Sequence, residues 1–310
     1  MNSVSSMGSS MASLSRQKFR LFQVFGITVF LHWSWFLVAA YELDQRSGRY
    51  SSLGWNIAEY LMLFLIVLLH EFGHSLACRQ VGGTANEIIL WPLGGVAFVN
   101  PPPRPGAVLW SIAAGPLVNV AFVALLAVFG MVSPYLGDIA MSSSAHHFLR
   151  QLWNINVGLL IFNLLPVYPL DGGQILRALL WFPLGRAHSL TAAVVIGIAG
   201  ALGLLGLAFW MESFWIGIIA FFILSQCWRG LGEAKRLRAL AKIPRYQEFA
   251  CPSCHAQPIQ AAVWICSGCH QPFDAFENPA GCPACGKQSS MTTCPECRQA
   301  HPVAAWRAVH

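Results

Sequence analysis

Two histidines and a glutamate within five residues form the most chemically specific pattern in the chain. They stand in the segment LLHEFGHSLA as His70, Glu71 and His74. On a helix of 3.6 residues per turn, positions four apart differ by about 40° around the axis, so both imidazoles share one face. Two such imidazoles can bind one zinc ion, and the carboxylate between them can accept a proton from an attacking water as general base. The spacing therefore predicts a metal centre that could hydrolyse a bond.

The apolar surroundings of this pattern strengthen the prediction. Residues 56–79 form one long apolar stretch, and ionisable groups inside a membrane span are costly unless they are paired or line a polar cavity. A bound cation would compensate for three such groups in five positions. The alternative is a pair of histidines satisfied by neighbouring helices beside a protonated Glu71, which leaves three costly groups without a gain.

A third metal ligand must come from elsewhere, because a catalytic zinc usually takes three protein ligands and leaves one position for water. The candidate is Asp171, in the segment NLLPVYPLDGG at 163–173. The two prolines should break a helix before it, and the Gly-Gly pair after it permits a close backbone approach. An ordinary aspartate at a helix start, or an ion pair with Arg177, stays open as the alternative.

The composition of the chain indicates where such a centre would lie. The 310 residues are 55% hydrophobic and 10% charged, with a mean hydropathy of +0.54, which exceeds what one soluble core needs. A helix needs ~20 apolar residues to cross a bilayer. Stretches that meet this criterion loosely occur at about 21–41, 56–79, 107–132, 151–181, 189–211 and 214–230. We therefore predict an all-α polytopic membrane protein with about six transmembrane helices.

Charge and composition divide the chain further. Lysines and arginines precede the first apolar stretch and follow the last one, so the positive-inside rule predicts that both termini are cytoplasmic. We expect a multi-pass integral protein of a bacterial plasma membrane. The predicted segments are a disordered cytoplasmic tail at 1–20, the six-span core at 21–230, a basic linker at 231–249 and a cysteine-rich domain at 250–310.

A segment of different composition separates the second and third apolar stretches: GGTANEIILWPLGGVAFVNPPPRPG. It contains two β-prone runs, separated by Pro92 and the Gly94-Gly95 turn. We predict a small β-hairpin at the membrane surface. An exposed strand edge there could take up an unwound peptide by β-addition.

Eight of the ten cysteines lie after residue 250 as four C-x-x-C pairs, whereas Cys78 and Cys227 stand alone in apolar surroundings. Four thiolates close one structural zinc site, so the pairs predict two ions in a tandem zinc-ribbon β domain. Disulfides are disfavoured because the charge rule places this tail in a reducing cytoplasm. A crossed arrangement of the pairs stays open. The simplest one joins successive pairs into a first site of Cys251, Cys254, Cys266 and Cys269 and a second site of Cys282, Cys285, Cys294 and Cys297.

H-E-F-G-H in one span, followed by N-x-x-P-x-x-P-L-D-G-G at 163–173, resembles the site-2 protease family of intramembrane zinc metalloproteases. The likeness covers roughly 20–230 and includes the PLGG of the hairpin and the GPLVN at 115–119. The resemblance implies that Asp171 is the third zinc ligand and Glu71 the general base.

The resemblance also implies that Asn163 contacts the developing oxyanion. From the residues alone, Asn163 could equally pair with backbone groups that the nearby prolines set free. Gly115 is best explained as a helix-packing contact, and Asn119 could be one as well.

The resulting hypothesis is an intramembrane zinc metalloprotease that cuts membrane-spanning protein substrates, with one catalytic and two structural zinc ions. Its partners would be those substrates, the lipid bilayer and a protein that binds the zinc ribbons, with nucleic acid less favoured. The rivals are a membrane zinc-binding or transport protein and an inactive scaffold that presents the ribbons. Glu71 argues against transport, which has little use for a general base, and the intact motif with Asp171 argues against an inactive scaffold.

Overall fold

The structure is a computed structural model that describes residues 18–37, 52–91, 94–132, 143–288, 291–297 and 299–306. The chain divides into two compact units, one made of residues 1–182 and 192–227, the other of residues 183–191 and 228–310.

Helices make up most of the described chain. They are α1 (Leu53–Gln80), α2 (Pro105–Val132), α3 (Ser143–Leu164), α4 (Asp171–Trp210) and α5 (Phe214–Ala241). Four of these, α1, α2, α4 and α5, are long and apolar enough to cross a membrane. The chain is therefore an integral membrane protein, as predicted. Within α4, Gly185 has a non-helical φ of 73°, so this long helix is kinked.

A four-stranded sheet accompanies these helices. Its strands are β1 (Lys18–Val24), β2 (Ile27–His32), β3 (Thr84–Trp91) and β4 (Gly94–Asn100), in that spatial order. β1 pairs antiparallel with β2, β2 parallel with β3, and β3 antiparallel with β4. The predicted hairpin is therefore confirmed, although Pro92 lies outside the described residues. Buried β2 and β3 side chains pack against Val67 and Leu68 of α1, which fixes the sheet beside the helix that carries His70.

The segment predicted as the first transmembrane span, 21–41, begins instead as two strands. β1 also starts inside the stretch predicted as a disordered tail, 1–20. Residues 18–32 are rich in aromatic and β-branched side chains, and Phe25 and Gly26 form a turn with φ angles of 50° and 71°. Such a run cannot be assigned to a helix by hydropathy alone. The last residues of that predicted span lie outside the described ranges, and the prediction of six transmembrane helices is not confirmed.

Two other predicted boundaries differ from the structure. The predicted span 151–181 is divided, because α3 ends at Leu164 and α4 begins at Asp171, with the prolines between them as expected. The basic linker predicted at 231–249 is helical as far as Ala241. Its Ala, Leu, Lys, Arg and Glu residues all favour helix, so α5 continues beyond its apolar part.

The cysteine-rich domain contains two short hairpins. β5 (Trp264–Ile265) pairs with β6 (Pro272–Phe273), and β7 (Thr292–Thr293) pairs with β8 (Ala300–His301). A cluster of buried aromatic residues joins the hairpins, with Trp264, Phe276 and Trp306 in mutual edge contact. Small sheets are thus present in the cysteine-rich segment, and its assignment as a tandem zinc-ribbon domain stays a prediction.

Candidate metal centre

His70 and His74 lie one turn apart on α1, and both imidazoles are buried. Their Nε2 atoms are 3.1 Å apart, and Asp171 Oδ2 lies 3.0 Å from His70 Nε2 and 3.4 Å from His74 Nε2. Neighbouring ligands of a tetrahedral zinc with bonds of ~2.0–2.1 Å lie ~3.3 Å apart. The three predicted ligands therefore come together with a spacing that fits one zinc ion.

The outward-facing nitrogen of each imidazole is hydrogen-bonded. His74 Nδ1 lies 2.9 Å from the backbone oxygen of Ser111, and His70 Nδ1 lies 2.5 Å from Oδ1 of Asn119, both on α2. The Ser111 oxygen can only accept, so Nδ1 of His74 carries the proton and its Nε2 lone pair faces the centre. Bonds of this kind fix the tautomer and the ring orientation of a metal-binding histidine.

The close approach of α1 and α2 depends on two glycines. A Cβ on Gly73 would lie 2.7 Å from the backbone oxygen of Ala114. A Cβ on Gly115 would overlap the His74 ring and lie 2.9 Å from His70 Nε2. Gly115 is therefore a helix-packing contact, as predicted, but the groups packed against it are the two imidazoles.

Asp171 is the first residue of α4, and the turn before it is held on several sides. A Cβ on Gly172 would lie 2.5 Å from the backbone oxygen of Leu165, which confirms the predicted close approach. From α5, the Cys227 thiol donates to the backbone oxygen of Tyr168 at 3.1 Å. The described ion-pair contacts of the Asp171 carboxylate are with the two histidines, not with Arg177 as the open alternative had it.

Glu71 lies under the edge of the sheet. Its Oε2 accepts a hydrogen bond from the backbone N–H of Ala97 at 2.8 Å, and the residue is 7% exposed. A Cβ on Gly95 would lie 2.6 Å from Glu71 Cδ. Strand β4 therefore covers the carboxylate, and only a residue without a side chain fits at position 95.

Asn163 lies near the end of α3 and is half-buried. Among the described hydrogen bonds, the amide that reaches the centre is that of Asn119, which is bonded in turn to Asn156. The role of Asn163 thus stays a prediction. Asn156 was missed from the sequence, although a buried amide within an apolar helix is itself a signal of function.

The eight tail cysteines form two groups of four, but in a different order from the one predicted. The first pair meets the fourth, with Sγ atoms 3.6 Å apart for Cys251–Cys297 and 3.8 Å for Cys254–Cys294. The second pair meets the third, at 3.6 Å for both Cys266–Cys285 and Cys269–Cys282. The predicted assignment of successive pairs, 251–269 and 282–297, is therefore wrong.

These sulfur distances fit metal binding rather than disulfides. Thiolates around a tetrahedral zinc with Zn–S bonds of ~2.3 Å lie ~3.8 Å apart, whereas a disulfide is ~2.05 Å long. Backbone N–H groups of Cys269 and Gly268 lower the pKa of the Cys266 thiol to about 6. A thiol so placed is readily available as the thiolate that zinc requires.

Comparisons with known proteins agree with this centre. The model of peptidase family M50 matches residues 58–136 and 127–207. Zinc metalloprotease MJ0392 of Methanocaldococcus jannaschii is 34% identical over 185 residues, 59% of this chain and 51% of that protein. Rip3 of Mycobacterium tuberculosis is 28% identical over 94% of this chain and 77% of that protein.

A solved structure shows the same fold. The site-2 protease from Methanocaldococcus jannaschii matches 69% of this chain and 94% of its own, with a TM-score of 0.50 and 29% identity. Both regions of the family model lie in the part of the chain that contains His70, His74 and Asp171. This chain spans only about half the length of its first curated relative. The part of the chain that contains the proposed metal centre, residues 58–207, therefore matches peptidase family M50, the site-2 protease family.

Proposed function

We propose that the protein is an intramembrane zinc metalloprotease that hydrolyses peptide bonds of membrane-spanning substrates. The observation that carries the proposal is the convergence of His70, His74 and Asp171 with a spacing suited to zinc, beside Glu71 and among apolar helices. The match to the family model and the relative named as a zinc metalloprotease support it.

Each side chain of the centre has a proposed task. Zinc, when bound, would polarise the scissile carbonyl and lower the pKa of water. His70, His74 and Asp171 would hold the ion and leave one position open. Glu71 would accept the proton of the attacking water and pass it to the leaving amine. For Asn163 we retain the role of oxyanion donor, which only the family resemblance supports.

The edge of β4 is the proposed docking place for an unwound substrate. β3 occupies one side of β4, and the Ala97 N–H points away from β3 towards Glu71. Among the described strands, the other edge of β4 has no partner strand, so a substrate strand added there would lie next to the proposed general base. Helical peptide bonds are already hydrogen-bonded, so strand addition would also stabilise the extended form that water can attack.

The tail and the termini complete the proposal. Both termini would face the cytoplasm, since basic residues flank the apolar core on each side. The two cysteine groups would bind two structural zinc ions and present a surface to a protein partner. A nucleic-acid partner is disfavoured because residues 250–310 contain three acidic and three basic residues, whereas binding to phosphates requires a basic patch.

The test is cleavage of candidate membrane proteins in reconstituted bilayers. Glu71→Gln should keep its zinc and lose turnover by a factor of about 10² to 10⁴, as expected for loss of a general base. Glu248→Gln, an exposed glutamate outside the core, is the matched control and should cleave like the wild type. Equal turnover by Glu71→Gln would refute the mechanism. Zinc flux into vesicles without any cleavage would favour transport instead.

A further inference from the structure

Asn156 is a fully buried amide in the middle of α3, with 0% of its surface exposed. Its Nδ2 donates to the backbone oxygen of Asn119 at 2.9 Å, and its Oδ1 accepts from Nδ2 of Asn119 at 2.6 Å. The Asn119 side chain in turn reaches His70. Three buried polar groups on three helices thus form one chain that ends at a proposed metal ligand.

The direction of every bond in this chain follows from its first acceptor. A backbone carbonyl has no hydrogen to donate, so the backbone oxygen of Asn119 must face the NH₂ group of Asn156. The other end of Asn156 is then an oxygen, which requires the NH₂ end of Asn119. The side-chain oxygen of Asn119 then faces His70 Nδ1. Because this oxygen can only accept, Nδ1 must carry the proton. His70 Nε2 is left with its lone pair towards Asp171 and His74.

We propose that Asn156 is a positioning residue for the metal centre: it selects the orientation of the Asn119 amide and thereby the metal-binding tautomer of His70. The inference rests on the proposed function in so far as the centre binds zinc. His74 needs no such device, because a backbone carbonyl already fixes its Nδ1. His70 faces an amide side chain that could present either end, and Asn156 removes that choice.

The experiment measures zinc binding by the full-length protein in detergent, as zinc per chain against graded chelator concentrations. Asn156→Leu removes the acceptor for Asn119 Nδ2 and frees the amide to turn over. We expect the centre to lose its zinc at a chelator concentration about 10-fold to 100-fold lower, as for loss of an outer partner of a metal ligand. Asn156→Ala, which adds no bulk, is the second variant and should show the same shift.

Asn154→Leu is the matched control, since it makes the same change on the exposed side of the same helix. Its zinc release should follow that of the wild type. His74→Ala identifies which step of the release curve belongs to the centre. If His74→Ala released zinc like the wild type, the proposed function would fail. If the wild type showed the release step of the metal centre but Asn156→Leu and Asn156→Ala left that step unchanged, only the positioning role of Asn156 would be refuted.

A rescue variant separates positioning from packing. In Asn119→Asp both side-chain oxygens are acceptors, so either orientation offers one to the His70 Nδ1–H. The double variant Asn119→Asp/Asn156→Leu should therefore recover the zinc release of Asn119→Asp alone. A purely structural role for Asn156 predicts no recovery, because the double variant still lacks the hydrogen bonds by which Asn156 joins α3 to α2. Zinc release at the lowered chelator concentration in the double variant would overturn the proposal.

Discussion

Gly115 offers a direct test of how tightly α1 and α2 hold the proposed metal centre. In Gly115→Ala the added methyl would overlap the His74 ring and lie 2.9 Å from His70 Nε2. Ordinary contacts to carbon are ~3.5 Å or longer, so the distance to His70 Nε2 must grow by ~0.6 Å and the distance to the His74 ring by more. Metal ligands tolerate displacements of about 0.2 Å. The added methyl is therefore incompatible with both imidazoles in their zinc-binding positions.

The size of the effect follows from the cost of overpacking, which is typically about 1–3 kcal/mol. If the imidazoles take up the strain, zinc affinity should fall by about 5-fold to 140-fold, at 1.4 kcal/mol per factor of ten. If the helices separate instead, the same free energy should appear as a loss of stability. The measurements are chelator-dependent zinc release and thermal unfolding of the purified protein.

Gly130→Ala provides the control on the same helix, because no atom of the described residues lies within 4 Å of a Cβ at that position. Alanine is favoured over glycine within helices by about 0.5–1 kcal/mol, so this variant should be as stable as the wild type or more stable. Zinc release and unfolding of Gly115→Ala that matched those of Gly130→Ala would refute the geometry described for the centre.

Gly95→Ala should crowd Glu71 and reduce hydrolysis while zinc per chain stays unchanged; loss of zinc would contradict this. After zinc removal and mild oxidation, peptide mapping should find disulfides that join the first C-x-x-C pair with the fourth and the second with the third, not successive pairs. Burial, and to a smaller extent Asp274, raise the pKa of Tyr246 to about 12. The contribution of the protonated Tyr246 to stability should therefore fall only above pH ~10. Asp274→Asn should lower the pKa of Tyr246 in a tyrosinate absorbance titration.

The metal ligands could be predicted from the sequence because local spacing determines their geometry. His70 and His74 share a face on any helix, and the costs of burial leave few other reasons for such residues in an apolar span. The prediction of Asp171 required one more step, namely that the prolines end a helix at the place where a third ligand is required. Asn119 and Asn156 could not be paired in this way, since their contact joins α2 to α3 and depends on the packing of both helices.

The arrangement of the tail cysteines shows a different limit. Each C-x-x-C pair is a local unit that the sequence identifies, but the choice of partner is made by the fold. Joining successive pairs closes the shortest loops, and the entropy of closing a longer loop rises only slowly with its length. The longer loop therefore adds little cost, and the buried cluster of Trp264, Phe276 and Trp306 contributes to the stability of the fold in which the first pair meets the fourth.

The strands at 18–32 help to hold the sheet next to the proposed metal centre. Read as a membrane span, this segment would leave β3 and β4 as an isolated hairpin, which is at best marginally stable in water. Paired instead as β1 and β2, it adds a neighbour to β3 and buries Ile27 and Val29 against α1. The added strands leave β4 as the edge next to Glu71. The segment that hydropathy misassigned is thus what holds the proposed substrate edge in place over the general base.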